Sequence, residues 1–408
     1  LQPHALSLQF ACPVSGMSHP TANSAASPEN KMGYFFTDGP ANCVAKKNGN
    51  GMVSLMMTTA PSSYPNARQE NASLIAGWLL IVALLVFSMV ILGGVTRLTN
   101  SGLSMVEWRP VTGWLPPLTE MAWNAEFDKY KAFPEYQKVN HGMTLSEFKE
   151  IFAFEYGHRL LGRIIGLAFF VPFVVFFLFG KIQMSLVPRL LGLFILGGAQ
   201  GVMGWVMVKS GLVDHPDVSH YRLTAHLGLA CLIFCALLWT ALDLLYPKAG
   251  PGGRPQAVLK WARIVFGLVF LQILIGGFVA GLNAGFIYNE WPMMGEGFLP
   301  DDLFSLSPIY LNFLENIATI QFTHRMTAYL VILAAITLYF VGRVPGIGDR
   351  ARSGIMMLML AILLQVGLGI WTLLAVVPVL LGALHQAGGM IVLGLSVYVV
   401  HALSARRL

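Results

Sequence analysis

The chain has 408 residues, of which 55% are hydrophobic, 12% aromatic and only 11% charged, and its formal net charge is +6. An ordinary soluble domain carries about a quarter charged residues, so that class is excluded. The basic excess gathers where apolar stretches end, which makes it a membrane-flanking feature and gives no reason to invoke nucleic acid.

Residues 1–73 are rich in Ser, Asn, Pro and Gly and lack an apolar period, so they read as a disordered tail. A mitochondrial presequence is Arg-rich and poor in acids, whereas here the first arginine is Arg68, preceded by Glu29 and Asp38. Together with a chain beginning at Leu1, this suggests a translated upstream reading frame, a start near Met52, Met56 or Met57, and residues 1–51 not expressed. That favours a bacterial inner membrane over the alternative, a mitochondrial inner membrane.

Eight apolar segments follow, at 74–97, 152–179, 186–208, 223–246, 259–282, 317–342, 353–377 and 380–403. Each can cross a hydrocarbon core, which takes about 20 helical residues. The expected fold is therefore an all-α membrane protein with eight transmembrane helices. With the N-terminus inside, the inner loops hold Lys181, Arg189, Lys248, Arg254, Lys260, Arg263, Arg343, Arg350 and Arg352, while residues 283–316 hold no Lys or Arg. The positive-inside rule then puts both termini in the cytoplasm. Cys231 and Cys235 are one turn apart in the fourth segment, where helix geometry opposes a disulfide.

The halves repeat. ILGGVTRLTNSGLSMVEW (91–108) aligns with LIGGFVAGLNAGFIYNEW (274–291), FEYGHRLLGR (154–163) with IQFTHRMTAY (320–329), QGVMGW (200–205) with QVGLGIW (365–371), and LTAHLGLA (223–230) with LGALHQAGG (381–389). Four crossings separate the copies, so they are parallel and related by an axis near the membrane normal. We expect two pseudo-symmetric four-helix bundles, 74–246 and 259–408, joined by an inner linker at 247–258. Gly93, Gly94, Gly197, Gly198, Gly201, Gly204, Gly276, Gly277, Gly367 and Gly369 serve close helix packing or make room for a flat macrocycle.

His158, His226, His324 and His385 lie one in each even-numbered segment, near its outer end. An intramembrane ionisable residue marks a functional site, and two imidazoles from facing helices can hold a haem iron from both sides. The repeat pairs His158 with His226 and His324 with His385, giving two haem pockets side by side in the outer half of the membrane. Zinc is the weaker alternative, because two histidines per half lack the other donors such a site uses. His4, His19, His141, His215, His220 and His401 have no repeat partner and read as tail, loop or helix-end residues.

Arg159 and Arg325 directly follow His158 and His324. They are either ordinary interface arginines or partners for haem propionates, and the repetition favours the second. Arg97 and Arg163 are looser candidates for the same role. The symmetry breaks at Glu155, three residues before His158, because the equivalent residue before His324 is Gln321. A carboxylate beside one haem can exchange protons and an amide cannot. The first pocket is thus expected to do chemistry and the second to relay electrons.

At GGVTRLTNSGLSMVEW, FEYGHRLLGR, WVMVKSGL, YRLTAHLG, GLNAG, WPMMGE, QFTHR and HQAGG, the chain resembles the haem A synthase family over about residues 74–403. The loop FPEYQKVNHGMTLSEFKEIFAFEYGHR is most similar to its alpha-proteobacterial and mitochondrial branch. Some bacterial members carry an outer-loop cysteine pair, and residues 283–316 contain none. The resemblance implies oxidation of the C8 methyl group of haem O by successive water-derived hydroxylations to the formyl group of haem A, for cytochrome oxidase. It makes Glu155 the catalytic acid, His158 and His226 the ligands of the substrate haem, and His324 and His385 the ligands of a permanent haem b. Haem O synthase and oxidase assembly factors are natural partners, membrane lipid surrounds the chain, and a homo-oligomer is open. The rival functions are a di-haem cytochrome that only transfers electrons and a haem transporter or chaperone.

Overall fold

A computed structural model of the protein describes residues 42–47, 53–58, 67–109, 112–211, 218–246 and 256–404. It contains two units, Leu1–Pro65 and Asn66–Leu408. In the first, β1 (Asn42–Lys47) pairs antiparallel with β2 (Val53–Thr58). The rest of the expected tail lies outside the described residues, except that residues 67–73 already belong to a helix. Most of the expected inner linker, 247–255, and His215 also lie outside them.

The second unit contains α1 (Ala67–Leu98), α2 (Glu120–Lys131), α3 (Pro134–Lys138), α4 (Leu145–Leu178), α5 (Val187–Gly211) and α6 (His220–Leu245). They are followed by α7 (Gln256–Gly281), α8 (Asn312–Glu315), α9 (Ile317–Val341), α10 (Asp349–Leu374) and α11 (Val379–Leu403). Eight of these helices, α1, α4, α5, α6, α7, α9, α10 and α11, are long and apolar enough to cross a membrane. They fall on the eight expected segments, and the protein is a multi-pass membrane protein.

The boundaries differ most at the starts of α1 and α4. Thr144 Oγ1 accepts from the Glu147 amide at 3.3 Å, and Glu147 Oε2 accepts from the Thr144 amide at 2.7 Å. This capping box starts α4 about two turns before the apolar segment begins. The added turns meet α2 around Phe127, Tyr130, Phe148 and Phe152, with the Phe127 and Phe148 rings stacked at 4.9 Å. Glu135 is buried there and accepts from the Tyr130 hydroxyl at 3.1 Å. Burial, aided by the Glu135 charge, raises the Tyr130 pKa.

Among the membrane helices, α1 packs on α4 and α6, and α7 packs on α9 and α11; α5 packs on α6, as α10 does on α11. The halves meet where α6 touches α7, where α1 touches α11, and where α6 touches α11. Between helices in lipid, close packing of small side chains replaces the hydrophobic drive available in water. Ala76, Ala83, Ala230 and Ala241 are accordingly buried alongside Leu79, Leu237 and Leu393. Cys231 and Cys235 are free thiols, as expected.

Two polar ties close the ends. At one, α1 and α7 are each followed by an asparagine in the left-handed region, Asn100 (φ 49°) and Asn283 (φ 53°), which asparagine tolerates. Arg97 donates to the side-chain oxygens of both at 3.2 Å. At the other end, Asp243 accepts from Arg189 at 2.7 Å and lies 3.1 Å from His401 Nε2. Arg350 lies 3.1 Å from His401 Nδ1 and covers the Tyr246 ring at 3.6 Å. His401 is at a helix end as expected, but it is buried in a network that joins α5, α6, α10 and α11.

Asp243→Ala removes the acceptor common to Arg189 and His401. It is expected to lower the apparent melting midpoint in detergent by about 2–4 °C, read by tryptophan fluorescence. An unchanged midpoint would mean that solvent compensates both cations fully.

Candidate functional site

The four membrane histidines share one geometry. A Cβ built on Gly93 would lie 3.1 Å from His158 Nε2, and one on Gly204 would lie 3.1 Å from His226 Cε1. In the second half, a Cβ on Gly276 would lie 3.3 Å from His324 Cε1, and one on Gly369 would lie 2.8 Å from His385 Cε1. Each imidazole on an even-numbered segment therefore rests against a bare glycine of the segment before it. These four glycines are needed for the imidazoles themselves. By contrast, Gly197, Gly198, Gly201 and Gly367 face open space.

The helices that carry His158 and His226, α4 and α6, both pack on α1, and those that carry His324 and His385, α9 and α11, both pack on α7. No group of three or more His, Cys, Asp or Glu side chains converges to hold a metal ion among the described residues. A zinc site would need such a group, whereas two imidazoles suffice for a haem iron, whose other four ligands belong to the macrocycle.

Sequence reasoning missed a set of carboxamides. Gln200, Gln272 and Gln365 each lie one turn before the glycine under a histidine. Each donates from Nε2 to that histidine's own backbone oxygen, at 3.0 Å to His226, 3.0 Å to His324 and 2.7 Å to His385. The signal was available as the spacing Gln-x-x-x-Gly in three of the four odd-numbered segments. Gln386, next to His385, was also missed; it donates to the Val90 oxygen of α1 at 2.9 Å, across the contact between halves.

Above the histidines, the loops after α1 and α7 are held by residues of α4 and α9. Glu155 is buried, with Oε2 accepting from Ser104 Oγ and the Met105 amide, both at 2.7 Å, and Oε1 accepting from Arg159 at 2.5 Å. Arg159 also donates to the carbonyls of Met105 at 2.7 Å and Glu107 at 2.8 Å. In the second half, Arg325 donates to the Met293 and Tyr288 oxygens at 2.9 Å, and Gln321 to the same Tyr288 oxygen at 3.0 Å. The arginines expected to meet propionates thus hold loop carbonyls, although Arg325 Nε is buried with no partner. Arg163 donates to the Arg109 oxygen at 2.6 Å, and Arg97 makes the tie described above.

The loop over the first pair is also fastened by charge. Glu107 meets Arg109 and, at 3.1 Å, Lys129, while Lys129 reaches Glu126 at 3.0 Å. The hydrogen bond from Lys129 holds the Glu107 carboxyl below the usual carboxylate range. A lowered pKa means this contribution is present at neutral pH and is lost as pH falls through the folded value. Hydrogen exchange of residues 103–109, corrected for intrinsic rates, is expected to rise below about pH 4 and in high salt at pH 7. Protection insensitive to both would show that the ion cluster does not fasten the loop.

The family described as Cytochrome oxidase assembly protein (COX15-CtaA) matches residues 76–397. A protein named Heme A synthase from Parvibaculum lavamentivorans is 53% identical over 334 residues, covering 82% of this chain and 95% of the relative. Heme A synthase of Nitrosospira multiformis is 48% identical over 331 residues, covering 81% and 93%. That of Rhodospirillum centenum is 47% identical over 352 residues, covering 86% and 94%. By these matches over nearly all of its membrane unit, the chain belongs to the haem A synthase family.

Proposed function

We propose that the protein oxidises haem O to haem A in a bacterial inner membrane, with both termini cytoplasmic. His158 and His226 hold the iron of the substrate haem, and His324 and His385 hold that of a resident haem b. The observation that carries this reading is a duplicated bis-histidine arrangement in which the residue three before the first histidine is a carboxylic acid, Glu155, in one copy and an amide, Gln321, in the other. Its products are used in cytochrome oxidase assembly, with haem O synthase as the expected supplier.

The chemistry sets what the chain must provide. Methyl plus water gives an alcohol, two protons and two electrons; a second such step gives a gem-diol, which loses water to leave the formyl group. Four protons and four electrons therefore leave for each methyl oxidised. Haem b, when bound, supplies one-electron transfer away from the first pocket.

Glu155 takes up protons at its carboxylate. Ser104, the Met105 amide and Arg159 fix both of its oxygens, so the group is oriented before substrate arrives. Gln321 cannot exchange a proton in this way and serves only to hold its loop. Arg159 acts on Glu155 and on the loop, and the free Nε of Arg325 is a donor suited to a propionate oxygen.

Glu155→Gln keeps size and most hydrogen bonding while removing the ionisable group. Expressed with a haem O source, this variant is expected to give little or no haem A, with haem O or the alcohol accumulating in extracted haem by mass analysis. Near-normal haem A output would refute the acid–base role.

His324→Ala and His385→Ala are expected to abolish the low-spin haem b spectrum, whereas His158→Ala and His226→Ala spare it and weaken haem O retention. Equal loss in all four variants would refute the division into two pockets. Wild-type protein that returns only haem O and haem b would refute the synthase reading.

A further inference from the structure

The carboxamides beside the histidines follow the duplication in three places and break it in one. One turn before the glycine seat stand Gln200, Gln272 and Gln365 for His226, His324 and His385, but Met89 for His158. Gln272 Nε2 lies 3.2 Å from both ring nitrogens of His324, Gln365 Nε2 lies 3.1 Å from His385 Nδ1, and Gln200 Nε2 lies 3.5 Å from His226 Nε2. Each amide thus touches the imidazole as well as the backbone carbonyl of the same histidine.

The other end of each amide is idle. The Oε1 atoms of Gln200, Gln272 and Gln365 are buried with no partner, and so is His226 Nδ1. A buried amide oxygen without a donor is costly. The donor suited to it is the N–H of an imidazole whose other nitrogen binds iron, because a metal-bound neutral imidazole keeps one ring N–H and gives it to a neighbouring acceptor; here the amide atom beside each ring is Nε2, so the ring has to turn to bring its N–H to Oε1. Room for the amide is also built in, since a Cβ on Gly388 would lie 2.0 Å from Gln365 Oε1. Met89 cannot play this part: its thioether donates nothing and accepts weakly. Its Cε is turned instead to Gly162, 3.2 Å from where a Cβ would stand.

We propose that Gln200, Gln272 and Gln365 are positioning residues for the histidine ligands, and that Met89 leaves His158 as the ligand that yields when haem is exchanged. The inference rests on the haem reading above. Both ligands of the second pocket are braced, as suits a permanent cofactor. One of the two in the first pocket is not, as suits a site that must release its product.

The test exchanges the two residue types in full-length purified protein. Gln272→Met and Gln365→Met copy the first pocket into the second, and Met89→Gln does the reverse. An acceptor on the ring N–H makes the imidazole more basic and favours ferric iron, so losing it is expected to raise the midpoint potential of the resident haem. Release of that haem to apomyoglobin is expected to quicken by about 10–100-fold. In the first pocket, loaded with hemin, Met89→Gln is expected to slow release by about tenfold.

Loosened packing alone would speed release without the rise in potential, and that result would overturn the proposal. So would potentials and release rates indistinguishable from wild type, provided His385→Ala still abolishes haem binding; the ligand assignment would then survive. Full haem retention by both His324→Ala and His385→Ala would overturn the ligand assignment and this proposal together. If the two Gln variants do not fold, Met89→Gln decides alone, and no slowing overturns the proposal.

Discussion

An imidazole inside a membrane must be offered a seat and a partner, and most of the architecture around the histidines follows from that requirement. The seat is glycine: Gly93, Gly204, Gly276 and Gly369 let adjoining helices approach until the ring fills the space a side chain would occupy. Any larger residue would push the ring away or the helices apart. The same close approach brings an amide within reach of the histidine carbonyl in three of the four cases. Helix spacing, ring orientation and polar satisfaction are thus fixed by one repeated contact.

The second organising element is the loop that follows α1 and α7. In each half, an arginine next to the histidine takes two loop carbonyls, so the loop is bound to the helix that carries the ligand. Glu155 and Gln321 occupy the same place in this scheme, but Glu155 accepts from a loop N–H while Gln321 donates to a loop carbonyl. Their chemical difference is carried on a shared scaffold of arginine-held loop carbonyls. The Arg159–Glu155 pair is buried on both sides, with side-chain exposures of 8% and 4%. Such a pair is retained for orientation more than for net stability, because desolvation offsets much of its attraction.

Breaks in the duplication are more informative than the duplication itself. Glu155 for Gln321, and Met89 in place of the glutamine found at the other three seats, both fall on the first half, and both concern His158 or the residues that frame it.

The eight spans were legible in the sequence because the bilayer imposes a length and a composition on every crossing helix. The four histidines and their glycine-bearing neighbours stood out because a duplicated chain repeats its costly residues at fixed intervals. Other features were visible and went unread: Thr144-x-x-Glu147 announces the early start of α4, and Gln-x-x-x-Gly occurs in three of four odd-numbered segments. The assignment of Arg159 and Arg325 to loop carbonyls, the placement of Ser104 against Glu155, and the Asp243–His401–Arg350 network were not legible. They join residues 32 to 158 positions apart or lie between separate helices, and helix periodicity carries no information about which partner a side chain meets across such a distance. Sequence alone determined which segments cross and which residues are expensive to bury; only tertiary structure decided what each of them touches, because that depends on how closely, and at what rotation, neighbouring helices pack.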